Sequence, residues 1–146
     1  MFIDGNIKPI RVERAAANLP QSTAAAIFNV TGGKVKILSI VGEVTTIIQA
    51  GANNMKLISN PTTGADVDLC AVVDIDTDAV GTMYNITGTL TDAMVATTSG
   101  AYKAQSNAVD VAAGTIDLSC SASKTGQIKW ALYYLPIDSG AVVTAA

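Results

Sequence analysis

Asp74-Ile75-Asp76-Thr77-Asp78 is the densest set of potential ligands in the chain. Alternate carboxylates in a tight turn can hold calcium, a hard cation that takes oxygen donors. An EF-hand loop starting at Asp74 would need glycine where Ala79 stands and glutamate where Asn85 stands, so that motif is broken. The main reading is a solvated turn after a strand, with a bound cation as the lesser alternative.

Other chemistry is restricted by residue type. The chain has no histidine, which removes Ser-His-Asp and Cys-His arrangements and the commonest general base. Cys70 and Cys120 are the only cysteines. Two thiols without histidine are too few for a zinc site, and in a cytosolic chain they are expected to be reduced, apolar side chains. Alternation puts Cys120 inward with Ile116 and Leu118, and Cys70 outward with Asp66, Asp68 and Asp74. Gly32-Gly33 joins two strands and opens no helix, so it is no phosphate loop. Glu43 and the aspartates suggest no cleft for paired-carboxylate hydrolysis. Neither catalysis nor a cofactor or metal is expected.

The elements that would position these residues read as strands. Lys34 to Ala50 is the most committed stretch, rich in Val, Ile and Thr and free of proline. Val35 and Ile37 share one parity; Leu38, Ile40, Gly42, Val44, Thr46 and Ile48 share the other. A bulge at Ile37-Leu38 would let both halves face one core. Gly42 would mark a bend or a close approach, and the length suggests a strand that bends to serve two sheets. Before it, Ala24–Val30 places Ala26, Phe28 and Val30 inward, followed by a turn at Thr31-Gly32-Gly33.

After it come Met55–Ser59 and then Ala65–Ile75, with Val67, Leu69, Ala71, Val73 and Ile75 inward and an acidic outer face. Thr82–Leu90, Ala93–Thr98 and Thr115–Ser121 follow, the last with Ile116, Leu118 and Cys120 inward and Thr115, Asp117 and Ser119 outward. Gln127–Ile137 puts Ile128, Trp130, Leu132 and Tyr134 on one face. Its other face turns apolar after Lys129, with Ala131, Tyr133 and Leu135, as suits a subunit interface. Pro136 ends the strand or leaves it an edge. Eight to ten short strands predict an all-β fold, a β-sandwich or β-barrel, jelly-roll-like or tulip-like.

Residues 1–20 differ from the rest and read as an extended N-terminal arm preceding a single domain over 21–146. Gly5 and Pro9 interrupt its apolar residues Phe2, Ile3, Ile7, Ile10 and Val12, and Arg11–Asn18 has the composition for two helical turns. Docking of this arm on a neighbouring subunit is expected, so removing Met1 to Leu19 would leave the β body folded.

Composition supports a chain that finishes its burial with partners. Of 146 residues 49% are hydrophobic and 14% charged, and mean hydropathy is +0.38. Soluble domains average about a quarter charged. No apolar run reaches the roughly 20 residues of a spanning helix, and aromatics at 5% are too few for barrel girdles. No membrane is expected, and an oligomer or larger assembly is the better cover. Net charge of −3 without a basic face argues against nucleic acid. Charges spread through Met1–Pro20, with no apolar h-region, imply synthesis in the cytoplasm without a leader.

Four segments, VGEVTT (Val41–Thr46), GADVDLC (Gly64–Cys70), AGTIDLS (Ala113–Ser119) and TGQIKW (Thr125–Trp130), carry a resemblance. Together they resemble small structural proteins of tailed bacteriophages, in particular head decoration or cement proteins and related minor virion proteins. The resemblance implies a β-rich homotrimer on the outer capsid surface at local three-fold axes, clamping neighbouring copies of the major capsid protein. An N-terminal arm commonly makes that contact. Interface candidates are then Phe2, Ile3, Ile7, Ile10, Arg11, Val12 and Arg14 in the arm, with Tyr133 and Leu135 on the body. The alternatives are a phage tail or head-completion component, or a carbohydrate-binding β-sandwich. For sugar binding, only Tyr84, Tyr102 and Tyr133 are candidate groove aromatics.

Overall fold

The structure is a computed structural model and describes residues 8–146. Phe2, Ile3 and Ile7 lie outside the described residues. Among the described residues twelve strands form two antiparallel sheets that enclose one apolar core, a β-sandwich. In chain order they are β1 (Ile10–Asn18), β2 (Ala24–Thr31), β3 (Val35–Thr46), β4 (Asn54–Pro61), β5 (Val67–Asp68) and β6 (Val73–Asp74). The second half contributes β7 (Met83–Asn85), β8 (Val95–Thr97), β9 (Val109–Val111), β10 (Gly114–Cys120), β11 (Gln127–Pro136) and β12 (Val142–Ala145). The first sheet runs β1-β11-β3-β7-β8, with β9 also paired to β3; the second runs β12-β2-β10-β4-β5, with β6 also paired to β4.

The parity slip in β3 is a bulge. Ser39 pairs Tyr133 and Ile37 pairs Tyr134, so Leu38 is the unpaired extra residue. Val35 and Ile37 before it and Ile40, Gly42 and Val44 after it are all buried. A second bulge in β2 works the same way. Phe28 pairs Ile116 and Ala26 pairs Asp117, which leaves Ile27 extra and lets Ile27 and Phe28 both enter the core. Ala26, expected inward, is only half-buried as a result. β3 does not cross between sheets. It stays in the first, pairing β11 along its length and β9 and β7 at successive positions on its other edge.

Gly42 is set by a close approach, though of a side chain. It lies between Trp130 on β11 and Tyr84 on β7, and a Cβ there would come within 2.8 Å of the indole ring carbons. Trp130 and Tyr84, both buried, close over the position.

Several sequence expectations change. Arg11–Asn18 forms no helix. It is the edge strand β1, paired to β11 from Ile10↔Tyr134 to Asn18↔Gln127 with a bulge between Arg14 and Ala17. Pairing outweighs the weak helical preference of a short segment. Leu19, 3% exposed, anchors its end. Removal of residues 1–19 is therefore expected to destabilise the body: a buried leucine alone contributes about 1.5–3 kcal/mol, and β11 loses a partner. Thermal melting by circular dichroism checks this, and an unchanged midpoint would restore the independent arm.

Ala65–Ile75 is not one alternating strand. Leu69 and Ile75 are buried as expected, but Val67 is 48% exposed and Val73 is half-buried. Only the two-residue pieces β5 and β6 pair, both with β4. Cys70, expected outward, is buried, its sulfur accepting a hydrogen bond from the Leu57 N–H at 3.5 Å. Asp117 is also buried, held by the Thr115 hydroxyl at 2.6 Å and the Asn60 amide at 3.1 Å. Cys120, Ile116 and Leu118 lie inward as expected, and both cysteines are free thiols.

Candidate functional site

The acidic turn has structural work for each carboxylate. Asp74 Oδ1 accepts the Asn53 N–H at 3.0 Å and the Asp76 N–H at 3.1 Å, while Asp76 Oδ1 accepts the Gly51 N–H at 2.8 Å. Asp78 accepts the Tyr84 hydroxyl. The three side chains thus staple the 74–78 turn to the 51–53 loop and the core. Among the described residues no group of three ligating side chains is placed to hold a metal ion.

The candidate site is instead the outer face of the first sheet. β-strand pairing fixes three rows, two across β1, β11 and β3 and one across β11, β3 and β7. Arg11, Tyr133 and Ser39 make the first row, Glu13, Ala131 and Val41 the second, and Lys129, Glu43 and Met83 (on β7) the third. The middle row is short, so Ala131 and Val41 floor a depression between taller neighbours. Together with Arg14, Ala15, Trp130 and Tyr102 these residues line an open groove of about 680 Å³. That is within the range of roughly 300–1,000 Å³ usual for ligand sites.

Tyr102 reaches the groove from the segment between β8 and β9. Asn85 on β7 donates its amide to the Lys103 carbonyl at 2.8 Å, and Gln105 donates to the Ile37 carbonyl at 3.3 Å and to that of Asn107 at 2.8 Å. These bonds fasten an otherwise irregular loop beside the sheet.

Charge in the groove is arranged in pairs. Arg11 bridges Glu13, which raises the guanidinium pKa, and Lys129 bridges Glu43 at 3.1 Å. Arg14 donates its Nε to the Ala146 carbonyl at 3.2 Å and has no side-chain carboxylate partner among the described residues. Partial burial lowers its pKa. Arg14 also lines a smaller crevice of about 220 Å³ between the sheets, with Leu19, Ile27 and Leu118.

Of the interface candidates with described positions, Arg11 and Tyr133 come together on this outer face, whereas Arg14, paired with buried Trp130, turns toward the second sheet. Val12 packs against the core, Ile10 is 44% exposed, and Leu135 is half-buried where β11 meets Lys36. Sequence reasoning did not assemble Glu13, Ser39, Met83, Tyr102 and Lys129 into a site. Parity with Tyr133 would have found Lys129, but nothing local marks Tyr102. Of the three candidate sugar-stacking tyrosines, Tyr84 is fully buried, whereas Tyr102 and Tyr133 are exposed and share the groove. No protein-family model matches this chain, and neither a curated protein nor a solved structure does.

Proposed function

We propose that this chain is a virion structural protein, a capsid decoration or cement subunit that binds the outer head surface and stabilises the lattice. The observation that carries the reading is an apolar surplus left outside the core. Among the described residues ten large hydrophobic side chains are exposed, from Val95 at 37% to Val80 at 63%. Several gather at the end of the sandwich where the two sheets are tied together. There Ala71 and Ala93 form a bridge, the Ala71 N–H donating to the Asp92 carbonyl and the Met94 N–H to that of Ala71. Val72, Leu90 and Val95 flank the bridge, and Val67 sits on the adjoining edge strand β5.

Such an edge suits burial against another subunit, at about 25 cal/mol per Å² of apolar area removed from water. The resemblance of four segments to phage decoration proteins supports the same reading. The partners are then the major capsid protein and further copies of this chain in a trimer, assembled in the host cytoplasm and placed on the capsid surface.

Light scattering at two concentrations, followed by co-sedimentation with phage heads lacking the protein, tests it. A trimer that co-sediments is expected. The double substitution Val72→Asp and Val95→Asp is expected to weaken attachment about tenfold or more while leaving the melting temperature nearly unchanged, since both side chains are exposed. A protein that ignores the heads would overturn the reading, and a hexamer would shift it to the tail.

A further inference from the structure

The two sheets do not close completely along one side of the sandwich. On that side β1 ends the first sheet and β12 ends the second. β12 covers β2 only from Thr31 to Phe28, and the Ala146 N–H adds a bond to the Ile27 carbonyl. Ala24 and Ala25 therefore have no strand beside them on that edge among the described residues. Across from them β1 loses its register between Arg14 and Ala17. The crevice of about 220 Å³ opens between these two interruptions. Its size excludes drug-sized ligands, whose sites start at roughly 300 Å³.

The walls and the polar groups of the crevice ask for different ends of one small molecule. Leu19, Ile27, Leu118 and Ile128 are buried and make an apolar wall with the ring of Trp130. The polar groups in the lining are the side chains of Arg14 and Asn18 and the indole N–H, with no carboxylate among them. All three have donors to offer. Asn18 Oδ1 already accepts the Gln127 amide at 3.1 Å, which leaves Asn18 its own N–H groups. Arg14 makes no ion pair with a side chain among the described residues, and its Nε goes to the Ala146 carbonyl, which leaves the two terminal nitrogens. Trp130 Nε1 is buried without any hydrogen-bond partner. Its six-membered ring lies over Gly42 on β3, so the pyrrole edge points the other way, toward β1 and the crevice. A buried N–H without an acceptor carries a desolvation cost that a bound oxygen would relieve. A carboxylate supplies acceptors only, and a guanidinium holds it best.

We infer that this crevice binds a small monocarboxylate with an aliphatic body, its carboxylate on Arg14 and the Trp130 N–H and its chain against Leu19, Ile27 and Ile128. The site is independent of capsid attachment, because the apolar edge at β5 and β8 lies at the other end of both sheets.

Trp130 is the only tryptophan, so its indole N–H gives a single NMR resonance inside the site. Titration of the full chain with hexanoate is expected to move that resonance downfield along a one-site curve. Hexanol keeps the chain and loses the charge, and acetate does the reverse; each should bind about tenfold or more weakly. Arg14→Gln should weaken hexanoate about tenfold and leave hexanol unchanged. Ala17→Leu, at a half-buried position on the rim, should fill the crevice and abolish binding of both. Neither substitution removes a core side chain, and melting curves verify that both variants are folded. Absence of a saturable shift with hexanoate overturns the inference. So does hexanoate binding that either variant leaves unchanged. Equal affinity for hexanol would make the crevice a purely apolar pocket and equal affinity for acetate a general anion site, and either result also overturns it.

Discussion

Trp130→Ala is expected to cost about 3–5 kcal/mol, the range for emptying the site of a large buried aromatic, and to lower the melting temperature by about 10 °C or more. The side chain is 2% exposed, sits over Gly42 on the neighbouring strand and lines the crevice between the sheets. Its loss therefore enlarges an existing void instead of being closed by neighbours. Gly42→Ala acts on the same contact from the other side. A methyl 2.8–2.9 Å from three ring carbons must displace the indole, an overpacking cost of about 1–3 kcal/mol. The two changes are coupled. With the indole gone, a Cβ at position 42 fills space and removes the strand penalty of glycine, so Gly42→Ala in the Trp130→Ala background should be neutral or slightly stabilising. Urea unfolding of the four proteins in a double-mutant cycle measures this. Additive losses would show that Gly42 is present for some reason other than the ring.

The contrast between what could and could not be foreseen follows the range of the interactions. The bulge at Leu38 was legible because both halves of β3 face one core and each kept its own parity. The inward sets of β10 and β11 were legible for the same reason: long pairing on both edges enforces strict alternation. Residues 65–75 alternate almost as well, yet form only fragments of strand. Their hydrogen bonds go to partners set by the tertiary fold, such as Leu69 N–H to the Leu57 carbonyl on β4 and the Ala71–Ala93 bridge, and no local pattern encodes those partners. In β1 the alanines and charged residues of Arg11–Asn18 suit a helix, and the free edge of β11 decides otherwise. The groove was half legible. Arg11 and Tyr133 stood out individually, but bringing them together required the register of β1 against β11, and the same register turns Arg14 to the inner face opposite Trp130. Tyr102 lies in a polar stretch whose position depends on Asn85 and Gln105.

Alkaline solution should unfold this protein unusually readily. Burial pushes the Cys120 thiol up to about 12, and burial likewise raises Cys70, where the hydrogen bond from Leu57 N–H opposes it in part. Tyr84 is raised most, first by burial and then by its hydrogen bond to the Asp78 carboxylate and that group's negative charge. All three are held neutral by the fold. In the unfolded chain the thiols ionise near pH 8.5 and the phenol near about 10. Above those values the unfolded state binds fewer protons than the native one, so stability falls as pH rises, by about 1.4 kcal/mol per pH unit for each group in its window. For Cys120 the window runs from about 8.5 to about 12; below it the stabilisation is fully present. The midpoint of urea unfolding should therefore stay level to about pH 8.5 and then drop steeply. The Cys70→Ala, Cys120→Ala double variant separates these thiols from lysine deprotonation. It starts less stable because two buried side chains are shortened, but its midpoint should fall more slowly between pH 9 and about 11, leaving the Tyr84 contribution as the remaining alkaline slope. Parallel decline of the two proteins across that range would mean that the thiols ionise as easily in the native state as in the unfolded chain. Their burial against Leu57 and the core would then have no energetic consequence for the proton.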